Sequence, residues 1–364
     1  MMTMTNQIKN SLFLLVVLLA SITGKSQTKS VYTGYVNTFI GTAPLYEPKI
    51  IGYKYPEGWR SWAGLTFPGS SLPNAMVQLS PMTEYGSGAG YEYEDSLIYG
   101  FTHTNKGHWN LCNIPILPLS NPGSTFGSTF SHQKESSSPG FYQVYLDEYN
   151  INVKLTSTLR CGYHQYAFKN NIGRQILFDL AKANNKVSDW MIEQVGSRAV
   201  QGYQQTGERI YFYAALNTDI DRMEEKEEGA RTGHAIVHLA NGGKNPVELK
   251  IGLSFVSVAN AKQNLEKEIG NKSFDAIRQA ATQTWESLLS SIRVKGGTEK
   301  QEQMLYSCLY RSFLWPALRS DVNGEYTDAK KQVVKRIQLL HRTISVDTYR
   351  NKDVLLGLIL RRLP

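Results

Sequence analysis

Between residues 141 and 260 the sequence keeps returning to one pattern: a short apolar, aromatic or β-branched piece, then a polar or glycine-rich break. The pieces are FYQVYLD, INVKLTST, GYHQYAF, RQILFDL, RIYFYAAL, HAIVHLA and VELKIGLSFV; Lys169-Asn170-Asn171, Asn217-Thr218-Asp219 and Asn241-Gly242-Gly243 are among the breaks. INVKLTST alternates apolar and polar residues cleanly, as a strand with one wet face does. Many short strands with turn signals and no βαβ rhythm predict a mostly β fold, a β-sandwich. The period changes near Asn260. Phe274, Ile277, Ala281, Trp285, Leu288, Leu289 and Ile292 fall three or four apart, which predicts an amphipathic helix over 272–292 with Ser273 as N-cap. Met304, Leu305, Leu309, Phe313 and Leu314 predict a second helix over about 299–314, stopped by Pro316.

A chain of 364 residues has room for two domains. The net charge of +8 is concentrated: residues 330–362 hold nine Lys or Arg against two Asp, so the body is near neutral and carries no nucleic-acid footprint. At the N-terminus Lys9, the apolar run 12–20 and the small residues Gly24 and Ser26 read as a secretory signal over 1–26, too short to span a bilayer. Export to the periplasm, cell surface or exterior is expected, with no membrane span. Cys112, Cys161 and Cys308 match no metal spacing and are expected to be small buried hydrophobes, with at least one free thiol.

The stretch 67–118 carries the candidate chemistry. It runs FPGSSLPNAMVQLSP, a Gly-rich break at 85–90, then YEYEDSLIYGFTHTNKGHWNLCNIPILP. Its turns concentrate Glu84, Tyr91, Glu92, Tyr93, His103, Asn105, His108, Trp109 and Asn110, and aromatic faces beside amides, imidazoles and carboxylates suit a sugar. Trp59 and Trp62 suit either a groove or the core. Gly86, Gly88 and Gly90 read as a turn, because strand-like Tyr91-Glu92-Tyr93 follows where a phosphate loop would open a helix. His103 and His108 are five apart, on opposite faces of a strand, with no third zinc ligand nearby. Among the carboxylates Glu84, Glu92, Glu94, Asp95, Asp321, Glu325 and Asp347, solvation is the expectation for each. Glu92 and Glu94 are read on one strand face and Asp95 on the other.

The runs FPG…P…MVQLSP and AGYEYED…GFTHTNKGH resemble the N-terminal domain of glycoside hydrolase family 92, secreted calcium-dependent α-mannosidases. The resemblance continues through LRCGYHQYAF, IGLSFVSVANAKQNLEKE, TWESLLSSIRVKGGTEKQEQMLYSCLYRSFLWP and SDVNGEY, and so covers most of the chain after the leader. It implies a β-sandwich over 30–265, a linker helix over 270–295 and, over 299–364, the truncated start of an (α/α)6 barrel. It implies mannose-containing glycans as partners. In full-length relatives it implies inverting hydrolysis of α-mannosidic bonds with Ca2+, none of which this chain is expected to hold. The family's acid, base and calcium ligands come from the barrel, so no catalytic residue is assigned here and the chain is expected to be inactive alone. Pocket contacts are carried over to His103, His108, Trp109 and, within a motif resembling SLWDTYR, Asp347, although Val346 replaces the Trp. Two helices cannot close an (α/α)6 toroid and the resemblance implies a longer chain, so a truncated product or fragment is expected. The alternative from another class is a stand-alone carbohydrate-binding or scaffold module.

Overall fold

In the computed structural model the described residues are 32–57, 64–105, 111–120, 126–227, 232–335, 354, 355 and 357. Trp59, Trp62, His108, Trp109, Asn110, Asp347 and the leader lie outside them. Two antiparallel sheets face each other. The first has seven strands, in the order Ser70–Ser71, Gln78–Met82, Gly100–Thr102, Ile116–Ser120, Arg174–Phe178, Gly233–Leu239 and Ile220–Glu227. The second has eight: Asp189–Val195, Ala199–Gln205, Arg209–Leu216, Val247–Ser254, Cys161–Phe168, Ile151–Ser157, Phe141–Leu146 and Glu135–Ser138.

Alternation decides what each strand buries. In Arg209–Leu216 the residues Ile210, Phe212, Ala214 and Leu216 turn inward, while Arg209, Tyr211, Tyr213 and Ala215 are less buried. Ile151, Val153 and Leu155 do the same one strand group away. The two sheets interlock: Phe178 of the first stacks on Phe212 of the second, centroids 5.9 Å apart. All seven apolar pieces are strands. Asp189–Val195, Ala199–Gln205 and Ile220–Glu227 are strands that were not anticipated; Gln residues interrupt the second, and charged residues dominate the third.

Helix Val258–Glu268 was not anticipated and lies at the end of the stretch expected to be sandwich; it is capped by Ser257, whose Oγ accepts from the Asn260 amide. It lies on the outer side of the second sheet. Gly252 makes this approach possible, since a Cβ there would sit 2.1 Å from the Ala261 carbonyl oxygen. Helix Phe274–Leu289 has the predicted cap Ser273, and its stripe Phe274, Ile277, Ala281, Trp285, Leu288 and Leu289 is buried. Trp285 Nε1 donates to the Ser71 carbonyl at 2.7 Å and so ties helix to sandwich.

Helix Glu299–Ser312 forms, with a capping box between Thr298 and Gln301. Its buried face agrees with the expected one at Leu309, Phe313 and Leu314 and departs from it at Met304 and Leu305. Met304 and Leu305 are 51% and 37% exposed, and Tyr306, Leu309 and Tyr310 are buried with Phe313 and Leu314. Large amphipathic Tyr rings take the inner stripe, one of them, Tyr310, tilted against Trp285 with centroids 4.5 Å apart. After Ser312 the described chain turns extended, then forms the hairpin Glu325–Thr327 and Val333–Lys335. Among the described residues there is no closed helical ring.

Candidate substrate cleft

A cleft of about 320 Å³ opens where the hairpin turn after Ala199–Gln205 meets the extended chain after Ser312. That is near the small end of the roughly 300–1,000 Å³ range of ligand pockets. Gln78, Thr104, Asn113 and Asn185 line it with Met76 and Leu111; Thr206, Gly207 and Glu208 form one side; Phe255, Trp315, Ala317 and Arg319 form the other. Amides and hydroxyls beside aromatic and apolar surface are what a sugar needs.

The Trp315 side is rigid because the chain behind it is pinned at alternate residues. The Leu314 carbonyl accepts from Gln78 Nε2 at 2.7 Å and the Pro316 carbonyl from Asn74 Nδ2 at 2.8 Å. The Leu318 amide donates to the Asn74 carbonyl at 2.8 Å, and the Ser320 carbonyl accepts from Arg160 Nε at 2.7 Å. The residues between them, Trp315, Ala317 and Arg319, are left to face the cleft. Asp321 ends the segment. It is 1% exposed and accepts from Ser254 Oγ at 2.7 Å, Asn260 Nδ2 at 2.8 Å and Asn264 Nδ2 at 2.7 Å. Burial holds its pKa above the usual carboxylate value, against the pull of those bonds and of Arg160. The expected solvation of Asp321 is therefore corrected: it is an anchor.

The floor is held under backbone strain. Cys112 and Ile114 have φ of 64° and 53°, a region L-residues avoid and a β-branched one most of all. Side chains hold Ile114 at both ends. Its amide donates to Gln204 Oε1 at 3.0 Å, and its carbonyl faces His103 Nδ1 at 2.8 Å. Gln204 uses all four of its hydrogen-bonding positions, accepting also from Asn113 Nδ2 and donating to the Leu180 and Lys182 carbonyls.

His103, expected at the sugar, is fully buried behind the cleft and touches His164. Nε2 of His103 and Nε2 of His164 lie 3.0 Å apart, and His164 Nδ1 lies 2.8 Å from the Tyr166 hydroxyl. A carbonyl only accepts, so His103 Nδ1 carries a hydrogen, and with desolvation keeping the ring neutral its Nε2 is bare. His164 then donates from Nε2 and accepts at Nδ1 from Tyr166. With both rings neutral, this one arrangement satisfies every atom. Desolvation pushes His103 down to about 4 and His164 well below its ordinary value, with the neighbouring His103 pushing the same way. The structure brings His103 to the back of the floor. His108 and Trp109 lie outside the described residues, although Thr104 and Leu111, near either end of their stretch, both line the cleft. Asp347 lies outside them too.

Across the mouth Arg319 donates from Nη2 to Glu208 Oε1 at 2.7 Å and lies over the Phe255 ring at 3.4 Å from its centroid. Burial lowers the Arg319 pKa, with Glu208 pulling it back up. Glu208 is the one carboxylate among the described lining residues. No three His, Cys, Asp or Glu side chains among the described residues converge as a metal-binding group, so these residues alone do not fit a calcium site.

Two further carboxylate readings change. Glu92 is 2% exposed rather than solvated. Residues 92–95 form a turn, not a strand, so the assignment of Glu92 and Glu94 to one strand face does not hold. The 86–90 stretch is a turn, with Gly86 and Gly90 at φ of 92° and 76°. All three cysteines are free thiols; Cys112 and Cys161 are buried and Cys308 is exposed. Sequence reasoning missed Gln78, Asn113, Glu208, Trp315 and Arg319.

In fold the chain is similar to glycosidase structures. The family GH92 α-mannosidase BT3965 from Bacteroides thetaiotaomicron matches with a TM-score of 0.79 at 21% identity, over 89% of this chain and 47% of that one. The gh92 family glycosyl hydrolase ccman5 matches with a TM-score of 0.77 at 22% identity, over 91% and 48%. A curated protein of Arthroderma benhamiae described as an "Uncharacterized secreted glycosidase" is 23% identical over 340 residues, 78% of this chain and 43% of its own length. The chain thus spans just under half the length of the relatives it matches. The profile of the Glycosyl hydrolase family 92 N-terminal domain matches residues 35–254, and that of the family's catalytic domain matches 260–362. The chain belongs to glycosyl hydrolase family 92. A match running into the catalytic domain does not favour the stand-alone module.

Proposed function

We propose that this chain serves the hydrolysis of α-mannosidic bonds in glycans outside the cytoplasm, and that its cleft forms the β-domain side of the mannose site. The observation that carries the reading is the lining: Gln78, Asn113 and Glu208 come from within 35–254, and Trp315 and Arg319 from within 260–362, so the cleft lies where the two family regions meet. The solved relatives include an "Inverting Mannosidase" and a complex with mannoimidazole, which supports mannosides as the ligand class. Export is supported by the leader-like 1–26 and by the word "secreted" in the curated relative's description. No helix among the described residues is long and apolar enough to cross a membrane.

Inverting hydrolysis needs an acid and a base about 6.5–9.5 Å apart. The described lining offers Glu208 alone, so the reading is that these 364 residues bind mannosides without turning them over. Calcium dependence belongs to the same proposal as a property of full-length relatives. His108, Trp109 and Asp347 are kept as proposed mannose contacts, and His103 as a residue acting through Ile114.

The test pairs two assays with calcium present: calorimetric binding of α-1,2- and α-1,3-mannobiose, and release of mannose from them. Binding weakened by Trp315→Ala, without release, is expected. Release at roughly 1–1,000 per second, the range of working enzymes, would refute inactivity. Lack of binding by either disaccharide would refute the cleft assignment.

A further inference from the structure

We infer that Glu208 sets the charge selectivity of the cleft, neutralising Arg319 so that the site takes uncharged mannosides and turns away anionic ones. This rests on the reading of the cleft as a mannoside site. Among the described lining residues Arg319 and Glu208 are the charged ones, and their charges cancel. They are held very differently. The Arg319 side chain is 15% exposed and lies against Phe255, whereas Glu208 is 67% exposed and reaches Arg319 through a 2.7 Å bond to Oε1. Its neighbour Gly207 has φ of 100°, so the turn that presents Glu208 depends on a glycine.

The cation is therefore built into the cleft side and the anion hangs from a turn. A bare guanidinium recognises carboxylate and phosphate, often through two parallel bonds. Glu208 already occupies part of that donor edge. For a neutral sugar the pair is useful as it stands, because a hydroxyl both donates and accepts and can bridge the two groups. For a phosphorylated sugar Glu208 is the repulsive element that selectivity requires. The role is one of specificity, with no proton transfer assigned to it.

The experiment measures dissociation constants of the 364-residue chain, by calorimetry at low salt, for methyl α-D-mannopyranoside and for mannose 6-phosphate. Wild type, Glu208→Gln and the double variant with Arg319→Gln are compared. Wild type should prefer the neutral ligand. Glu208→Gln should tighten mannose 6-phosphate by about tenfold or more, the scale of one charge-assisted bond, and the gain should fade with salt. The double variant should lose that gain. Intact neutral binding with an unchanged ligand ratio in Glu208→Gln, or a wild-type preference for the phosphate, overturns the inference alone. Absence of binding by either ligand in every variant overturns the mannoside reading and this inference together.

Discussion

Acidification should unfold this protein through the histidine pair behind the cleft floor. His103 is held at about 4 in the fold, against about 6.5 in an unfolded chain. Its folded pKa is depressed, so the unfolded state binds more protons between those values. The stabilisation is complete above pH 6.5, falls as pH drops toward 4, and is exhausted below that. At 1.36 kcal/mol per unit, the loss from His103 is roughly 3 kcal/mol. His164 is also lowered well below its ordinary value, so the unfolded state binds a second proton that the fold resists. Two protons give a slope of about 2.7 kcal/mol per pH unit, a large part of a typical stability of about 5–15 kcal/mol. Two buried carboxyls, Asp179 and Asp321, are raised by burial and so oppose the trend as pH falls toward the ordinary carboxylate range. Urea unfolding followed by tryptophan fluorescence, at steps from pH 7.5 to 4.5, reads the slope directly. His103→Leu separates the contributions. It should cost about 2–5 kcal/mol at pH 7, since the Ile114 carbonyl and the His164 Nε2 hydrogen lose their partner. The remaining slope should fall by about half, one proton of the two. A stability that stays flat from pH 7 to 5 in the wild type would refute the neutral-pair assignment.

Three other outcomes follow from named contacts. Gly252→Ala should lower stability by more than about 2 kcal/mol in a chemical melt, because its Cβ meets the Ala261 backbone at 2.1 Å, where no rotamer change relieves it. Asp321→Ala should cost about 2–4 kcal/mol, by leaving Asn260, Asn264 and Ser254 donors without their acceptor. It should also weaken mannoside binding in calorimetry, since Arg319 and Trp315 lose their anchor. Arg198→Ala should leave Tm unchanged, because its pair with Asp219 is solvent-exposed on both sides.

The strands that carry the core were legible because their inner faces are apolar at every second position. Arg209–Leu216 and Ile151–Ser157 show it best. Ala199–Gln205 was not legible, because its inner face spends a position on Gln204, whose buried amide satisfies partners far apart in the sequence. Periodicity found the buried stripe of Phe274–Leu289 but misplaced part of that of Glu299–Ser312, where hydrophobicity alone ranks Met304 above Tyr306. The site was harder still. Asp321 and Glu92 looked like solvated acids, since burial depends on donors that only the fold assembles. The cleft draws on Gln78, Asn113, Glu208 and Arg319, which no spacing rule connects. Resemblance supplied the family; it did not supply those side chains.

The alternate pinning of 314–320 bears on motion. Four ties spread over seven consecutive residues leave no slack for a hinge, so sandwich and succeeding helices move as one piece along this seam. Among the described lining residues the opposite bank is held differently: the Thr206-Gly207-Glu208 turn is tied by side chains, through Asn113, Asn185 and Arg319, so a rotamer change can widen or narrow the mouth there without moving the sheets.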